Sequence, residues 1–351
     1  MPLFMDLHDA SDYDVKPTVE EIKKNHIADL SVQAKHGVKF IQYWINEDAG
    51  MVFCLMEAPN KEACSAVHQE AHGAMPCKII ELKGGDYSAF IENAGHVNTY
   101  DIVEDEDGKL DKAYRIIVTV DILSRLPGHA MDNILNQFSS DARIVEISNN
   151  RRVLSFVSTQ SAIEFVEGLK NQLQKSEEGE WRIGIAAGSP VTNEDVLYGE
   201  AIALSEILNE MAGTKQVFVN SLAISLGAGA FDKQNPSIRI ISKKDESFAR
   251  NFYQNLKSTI FNTDFNIDVL SHSIGMSRSA MYRRIVSITG TSPNEIVQEM
   301  RLRKGYNLLL EGESNVTQVA YEVGYSNPSY FTKKFQERFH LSPMRVRKAG
   351  E

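Results

Sequence analysis

His68 and His72 stand four residues apart in a stretch of helical periodicity, Asn60 to His72. That spacing puts two imidazoles on one helical face, as used in metal chelation. Imidazole suits nickel, copper or zinc, and Cys54 could add a thiolate; the alternative is a solvated or hydrogen-bonded pair. At the other end of the chain the reactive types are basic and aromatic. In Arg278 to Ile288, Met281, Ile285 and Ile288 recur at helical spacing and should turn inward, leaving Ser279, Tyr282 and Arg283 outside. In Pro328 to Phe339, Phe331, Phe335 and Phe339 make the inner stripe. Ser329, Tyr330, Thr332 and Lys333 make the outer face, with Asn327 just before it. A guanidinium at Arg283 can pair with guanine O6 and N7, and Tyr282, Ser329 and Lys333 come next as base readers. Arg284 and Lys334 flank these faces, where phosphate contacts are expected.

The elements that must hold the basic faces occur twice. Val269, Leu270 and Ile274 form a short apolar helix broken at Gly275; Val316, Val319, Ala320 and Val323 form another, broken at Gly324. Ser277 is placed to cap the helix after the first break, and Pro328 to open the helix after the second. Two helices joined at a glycine corner, the second polar outward, make a helix-turn-helix, whose second helix reads the major groove. The amphipathic run Ile296 to Leu310, roughly 20 Å long as a helix, could hold the two units about one DNA turn apart.

Charge is distributed accordingly. The 351 residues carry a net charge of −10, yet from Ser247 onward 14 Lys and Arg face 9 Asp and Glu, leaving about −15 on the rest. The basic third can attract phosphate; the acidic remainder should do something else. Cys54, Cys64 and Cys77 are too few for a disulfide framework, and there is neither a secretory signal nor a membrane-length apolar run. A reducing cytoplasm is the expected location.

Ahead of the basic third, Leu3 to His8, Pro17 to Lys35, Lys39 to Asn46, Met51 to Glu57, Asn60 to His72 and Lys78 to Leu82 read as βαββαβ, the order of a ferredoxin-like sheet with two helices on one face. His96 to Lys112 is acidic and is expected to be a linker. Tyr114 to Val120, Ala142 to Ser148, Arg152 to Val157, Trp181 to Ala187 and Gln216 to Asn220 read as strands. Met131 to Phe138, Ser161 to Gln174 and Tyr198 to Met211 read as helices, giving a second α+β unit. The expected divisions are 1–95, a linker at 96–112, 113–245, and an all-helical part at 247–351.

Three stretches carry family resemblances. Residues 250 to 349 resemble the DNA-binding domain of AraC/XylS-type transcriptional regulators, through Ala320 to Phe335, then Phe339-His340-Leu341-Ser342-Pro343 and Arg345, and through Ser277 to Arg283 and Thr289-Gly290-Thr291-Ser292-Pro293. His340 stands where that family usually has glycine, and Gly305 where it usually has alanine. The resemblance implies a monomeric domain reading two successive major-groove segments of double-stranded DNA.

Residues 1 to 87 resemble small ferredoxin-like proteins described as nickel-binding, through Asp6-Leu7-His8, Asn25-His26-Ile27-Ala28-Asp29, Val52 to Leu55, Glu57-Ala58-Pro59 and Val67 to Gly73. This resemblance implies His8, His26, His68 and His72 as ligands of nickel or another divalent transition metal. The ends of the first strand and second helix are expected at opposite edges of the sheet, so that one site with all four would need a second subunit.

Residues 112 to 225 resemble the catalytic domain of class III nucleotide cyclases, through Arg182 to Gly188, Leu197 to Ala201 and Gly213 to Val219. Asp121 matches the first metal carboxylate, but the second falls at Asn150, and the transition-state Asn and Arg fall at Ala203 and Ile207. The resemblance implies a cyclase-like fold without its chemistry, pairing as a homodimer, whose cleft could take a nucleotide or other small effector. The alternative class is an active cyclase, or a metal-buffering domain, fused to a DNA reader.

Overall fold

The computed structural model describes residues 1–11, 16–92, 95–105, 107–123, 135, 137, 142–148, 151–175, 180–227 and 235–350. Strand β1 (Leu3–Asp9) is followed by α1 (Val19–Val32), β2 (Lys39–Asn46), β3 (Met51–Glu57), α2 (Lys61–Ala71) and β4 (Lys78–Glu81). The four strands form an antiparallel sheet in the order β2-β3-β1-β4, a ferredoxin-like arrangement. Thr18 caps α1 in a capping box with Glu21, and the Asn60 side chain accepts from Ala63 N to start α2. Alternation along β1 divides its side chains. Phe4 joins Ile22, Phe40, Cys64 and Val67 under the helices, while Met5 and Leu7 join Trp44, Phe53 and Leu55 on the other face.

That second face is covered by the next unit, through Ile117, Val153, Leu197, Tyr198 and Ala201. The segment expected to be a linker packs instead. It contains the short pair β5 (His96–Val97) and β6 (Val103–Glu104), with Ile102 and Val103 buried. Asp111, 8% exposed, accepts from Trp44 Nε1 at 3.2 Å and from Arg115 Nη2 at 3.0 Å, tying two sheets together. A charge run need not be solvated when one of its carboxylates has a guanidinium to meet.

The middle unit comprises α3 (Asp86–Phe90), β7 (Arg115–Leu123), β8 (Arg143–Ser148), β9 (Arg151–Phe156), α4 (Thr159–Lys175), β10 (Glu180–Gly188), α5 (Gly199–Met211), β11 (Gln216–Asn220), α6 (Ser221–Leu226) and β12 (Ile238–Ile241). Its sheet runs β12-β11-β10-β7-β9-β8, with β10, β11 and β12 parallel and the other pairs antiparallel. One face buries Val118, Val120, Phe165 and Leu169 under α4. On the other face α5 lies so close that a Cβ on Gly184 would sit 2.0 Å from Ser205 O. Asn209 Nδ2 bonds Thr119 O and Arg182 O across the same gap. Of the expected helix Met131 to Phe138 only Leu135 and Gln137 are described, both helical, and the position of Asn150 lies outside the described residues.

The remainder is helical: α7 (Lys243–Lys257), α8 (Ile267–Ser273), α9 (Arg278–Thr289), α10 (Pro293–Glu311), α11 (Val316–Glu322), α12 (Pro328–Phe339) and α13 (Pro343–Gly350). Leu204, Ile207, Leu208 and Met211 of α5 share one core with Phe248, Phe252, Leu270, Met281 and Met300. Large apolar side chains contribute about 1.5–3 kcal/mol each when fully buried, so this seam is a substantial interface. Val269 of the apolar set is 65% exposed, while Leu270 and Ile274 meet the core with Ile267 packed beside them.

Candidate nucleic-acid interface and histidine cluster

In the first helix-turn-helix, Gly275 (φ +70°) makes the corner between α8 and α9, and Ser277 caps α9 by accepting from Ala280 N. In the second, Gly324 (φ +86°) makes the corner between α11 and α12. Asn327 Oδ1 accepts from Ser329 N at 2.9 Å and Tyr330 N at 3.1 Å. Asn327 therefore spends its oxygen on capping. Helix α10 starts at a Ser292–Glu295 capping box and connects the units. Its Gly305 has a physical reason: an added Cβ would lie 3.1 Å from Phe331 Cε2, so glycine lets α12 seat Phe331 against α10. His340 takes the left-handed position that ends α12 (φ +54°), where glycine is relieved of strain.

Ser279, Tyr282 and Arg283 are exposed on α9, and Ser329, Tyr330 and Lys333 on α12. Arg284 is not. It bonds Asp245 Oδ1 through Nη2 at 3.1 Å and lies 4.3 Å over the Phe248 ring, so α7 holds the cation expected at a phosphate. Lys334 bonds Glu337 at 2.8 Å, and Thr332 is half-buried.

The histidines gather more tightly than their sequence positions suggest. His68 is 1% exposed and lies between two carboxylates, with Nε2 2.8 Å from Asp6 Oδ2 and Nδ1 3.1 Å from Asp29 Oδ1. His72 Nε2 is 3.2 Å from Asp29 Oδ2, and the His8 ring centroid is 4.7 Å from that of His68. Two candidate ligand sets result, Asp6–His8–His68 and Asp29–His68–His72, each with its ligand atoms within 4.8 Å of one another. Neither needs a second subunit. β3 runs antiparallel to β1, so α2, which turns back after β3, ends where β1 ends.

Burial works against a charged His68, but hydrogen bonds to Asp29 and Asp6 outweigh it and push the ring up to about 10. Burial pulls His8 down, toward the neutral form that binds metals. Burial also opposes the Asp29 carboxylate, yet bonds from His68 and His72 hold it below the ordinary range. His26 stands apart, with Nε2 3.1 Å from Asp101 Oδ2 and its ring 4.3 Å from Tyr43. Cys54 is buried and in neither set, and desolvation raises its thiol well above the usual value. The sequence reading missed Asp6 and Asp29 as partners, although both lie inside the motifs that carry the resemblance.

A second charged network went unread. Asp121 accepts from Arg151 Nε at 2.8 Å and Arg182 Nη2 at 2.7 Å, and both guanidiniums also reach Glu210. Burial opposes the Asp121 charge, and Arg182 and Arg151 overcome it, holding the carboxyl well below the usual range. On α10, Glu299 accepts from Arg303 Nε at 2.5 Å and Arg338 Nε at 2.6 Å, and Arg338 Nη1 donates to Glu180 Oε1 at 2.6 Å. The Glu299–Arg303 spacing of four was a readable signal; the long-range partners were not.

Comparison with known proteins fits the two ends of the chain. Residues 4–82 match the family described as nickel responsive protein SCO4226-like, and residues 270–349 match a helix-turn-helix domain family. The HTH-type transcriptional regulator MtrA of Neisseria gonorrhoeae is 38% identical over 87 residues, 25% of this chain and 29% of that protein. The histidine kinase P4 of Formosa agariphila is 33% identical over 108 residues, 31% of this chain and 8% of its own length. The chain thus spans less than a third of either relative. The crystal structure of SCO4226 from Streptomyces coelicolor A3(2) aligns over 23% of this chain and 94% of that one, at 34% identity and a TM-score of 0.21. Among the described residues no helix is long and apolar enough to cross a membrane. The C-terminal part is an AraC-type helix-turn-helix domain, and the N-terminal part is similar to the nickel-responsive proteins.

Proposed function

We propose that this chain is a cytoplasmic, sequence-specific transcriptional regulator that reads two adjacent major-groove segments with α9 and α12. The observation that carries this reading is the repeated unit itself: two glycine-cornered helix pairs on one connecting helix, each presenting an aromatic and a cation outward, Tyr282 with Arg283 and Tyr330 with Lys333. The divisions at 1–95, 113–245 and 247–351 are part of the proposal, with 96–112 as a packed strap. Control comes from a divalent transition metal at His8, His68 and His72, with Asp6 and Asp29 beside them, or from a small effector in the N-terminal two-thirds. Imidazole with carboxylate suits nickel, copper or zinc, and metal binding must displace the proton His68 shares with its carboxylates. His26 belongs to neither ligand set, and its Nε2 faces Asp101 Oδ2 at 3.1 Å.

The middle unit is read as a cyclase-like fold that pairs two chains and has no catalytic role. Arg151 and Arg182 already neutralise Asp121, the carboxylate such an enzyme would give to metal, and Ile207 is buried against the helical domain. Selection of duplexes from a random pool by the purified full chain tests the regulator reading. A bipartite motif with segments about one turn apart is expected; recovery of unselected sequence would refute it.

A further inference from the structure

A cavity of about 410 Å³ opens between the middle unit and the helical domain, and neither of the sites above uses it. Its floor is the quartet Asp121, Arg151, Arg182 and Glu210, whose charges answer one another. The apolar lining comes from the helical side, Tyr253, Phe261, Met300 and Leu308, with Asn307 among them. Three further cations, Lys257, Arg303 and Lys304, line the same space with two further carboxylates, Glu206 and Glu311, so that cations outnumber carboxylates by five to four; Lys304 Nζ lies 4.6 Å over the Phe261 ring.

Arg303 is the informative one. Its side chain is 7% exposed, and its Nε is bonded to Glu299. Its Nη1 is buried with no hydrogen-bond partner among the described residues; Asp121 Oδ2 is 4.0 Å away, beyond hydrogen-bond reach. A buried guanidinium nitrogen without an acceptor is costly, and an acceptor supplied by a ligand would remove the cost.

We infer that this cavity binds a small organic oxyanion, a carboxylate or phosphate monoester on an apolar body, with the anionic group on Arg303 beside Lys304 and the body against Phe261, Met300 and Leu308. The volume lies in the range of small-molecule sites, and a lone inorganic anion would leave the apolar wall unused. The walls come from two units, so a ligand that fills the space favours the docked arrangement over any in which they separate. Arg303 also leads outward, through Glu299 to Arg338 at the end of α12 and on to Glu180. Occupancy should therefore reach the second recognition helix. That coupling rests on the regulator reading above; the binding itself does not.

The test is calorimetric titration of the full chain with 1-naphthyl phosphate, 1-naphthoate and the neutral 1-naphthol. One or both anions should bind with one site per chain. 1-Naphthol should bind at least about tenfold more weakly, as should either anion to Arg303→Met, given the strength of charge-assisted hydrogen bonds. Leu308→Trp, which fills the cavity and leaves the ionic network in place, guards against misfolding of the first variant and should also abolish binding. Failure of both anions to bind at millimolar concentration, or equal binding of an anion to wild type and Leu308→Trp, would overturn the site. A bound naphthyl anion that leaves duplex affinity unchanged would overturn the coupling while the site stands, and loss of DNA binding altogether would instead count against the regulator reading.

Discussion

Glu299→Gln probes the seam between α10, α12 and β10 with little change in volume. Burial works against the Glu299 charge, but bonds from Arg338 and the field of Arg303 hold its pKa at about 2, against an ordinary 4.5. That gap corresponds to roughly 3 kcal/mol of stability linked to ionisation at neutral pH. The side chain is 28% exposed, and screening reduces the expected loss in the glutamine variant to about 2 kcal/mol. The folded pKa is depressed, so the contribution is complete above the ordinary 4.5 and fades as pH falls through about 2. Urea unfolding should be followed by tryptophan fluorescence and by far-UV dichroism together, since a chain of several units need not unfold in one step. Trp181 neighbours Glu180 in β10 and is 2% exposed, which makes it a local reporter. The variant should unfold at lower urea from pH 8 to pH 5, with the difference narrowing below pH 4.5. Equal midpoints at pH 7.5, or a difference that widens in acid, would mean that the ionised Glu299 does not stabilise this seam.

Further outcomes can be checked alongside. Arg283→Ala should weaken binding to a selected duplex by about 1–3 kcal/mol and relax one base position; a uniform loss across all sequences would make Arg283 a phosphate contact. Gly184→Ala places a Cβ 2.0 Å from the Ser205 carbonyl and should cost more than about 3 kcal/mol or prevent folding, read by dichroism and soluble yield. His340→Gly relieves a left-handed residue at the end of α12 and should raise stability by up to about 1 kcal/mol, seen as a higher melting temperature.

What the chain disclosed in advance divides along physical lines. Local signals were sufficient where period and punctuation agree: β2, β3 and β11 have the bounds their alternation predicts, and Gly275, Ser277, Gly324 and Pro328 stand where the two corners need them. The histidine cluster was half legible. The i, i+4 pair gave His68 and His72, but Asp6 and Asp29 reach them from β1 and α1, and only the sheet order brings those elements under α2. The same limit explains His26, which lies in a matching motif yet turns to Asp101 in the strap. Charge was misjudged where partners are distant. Asp111 in the acidic run meets Trp44 of β2, 67 residues away, and Arg284 on α9 meets Asp245 of α7 rather than open solvent. Period cannot reveal such pairs, because each joins elements separated by folding rather than by spacing.

The most direct measurement is the affinity of the full chain for a selected bipartite duplex, with and without nickel, at one fixed salt concentration, for the wild type and for His68→Ala with His72→Ala. Sequence-specific binding is expected, with an affinity that shifts at least about fivefold with metal in the wild type, the scale of a coupling near 1 kcal/mol, and not at all in the double variant. Binding indifferent to sequence would contradict the reading of α9 and α12, and an equal response to nickel in both proteins would contradict control through the histidine cluster.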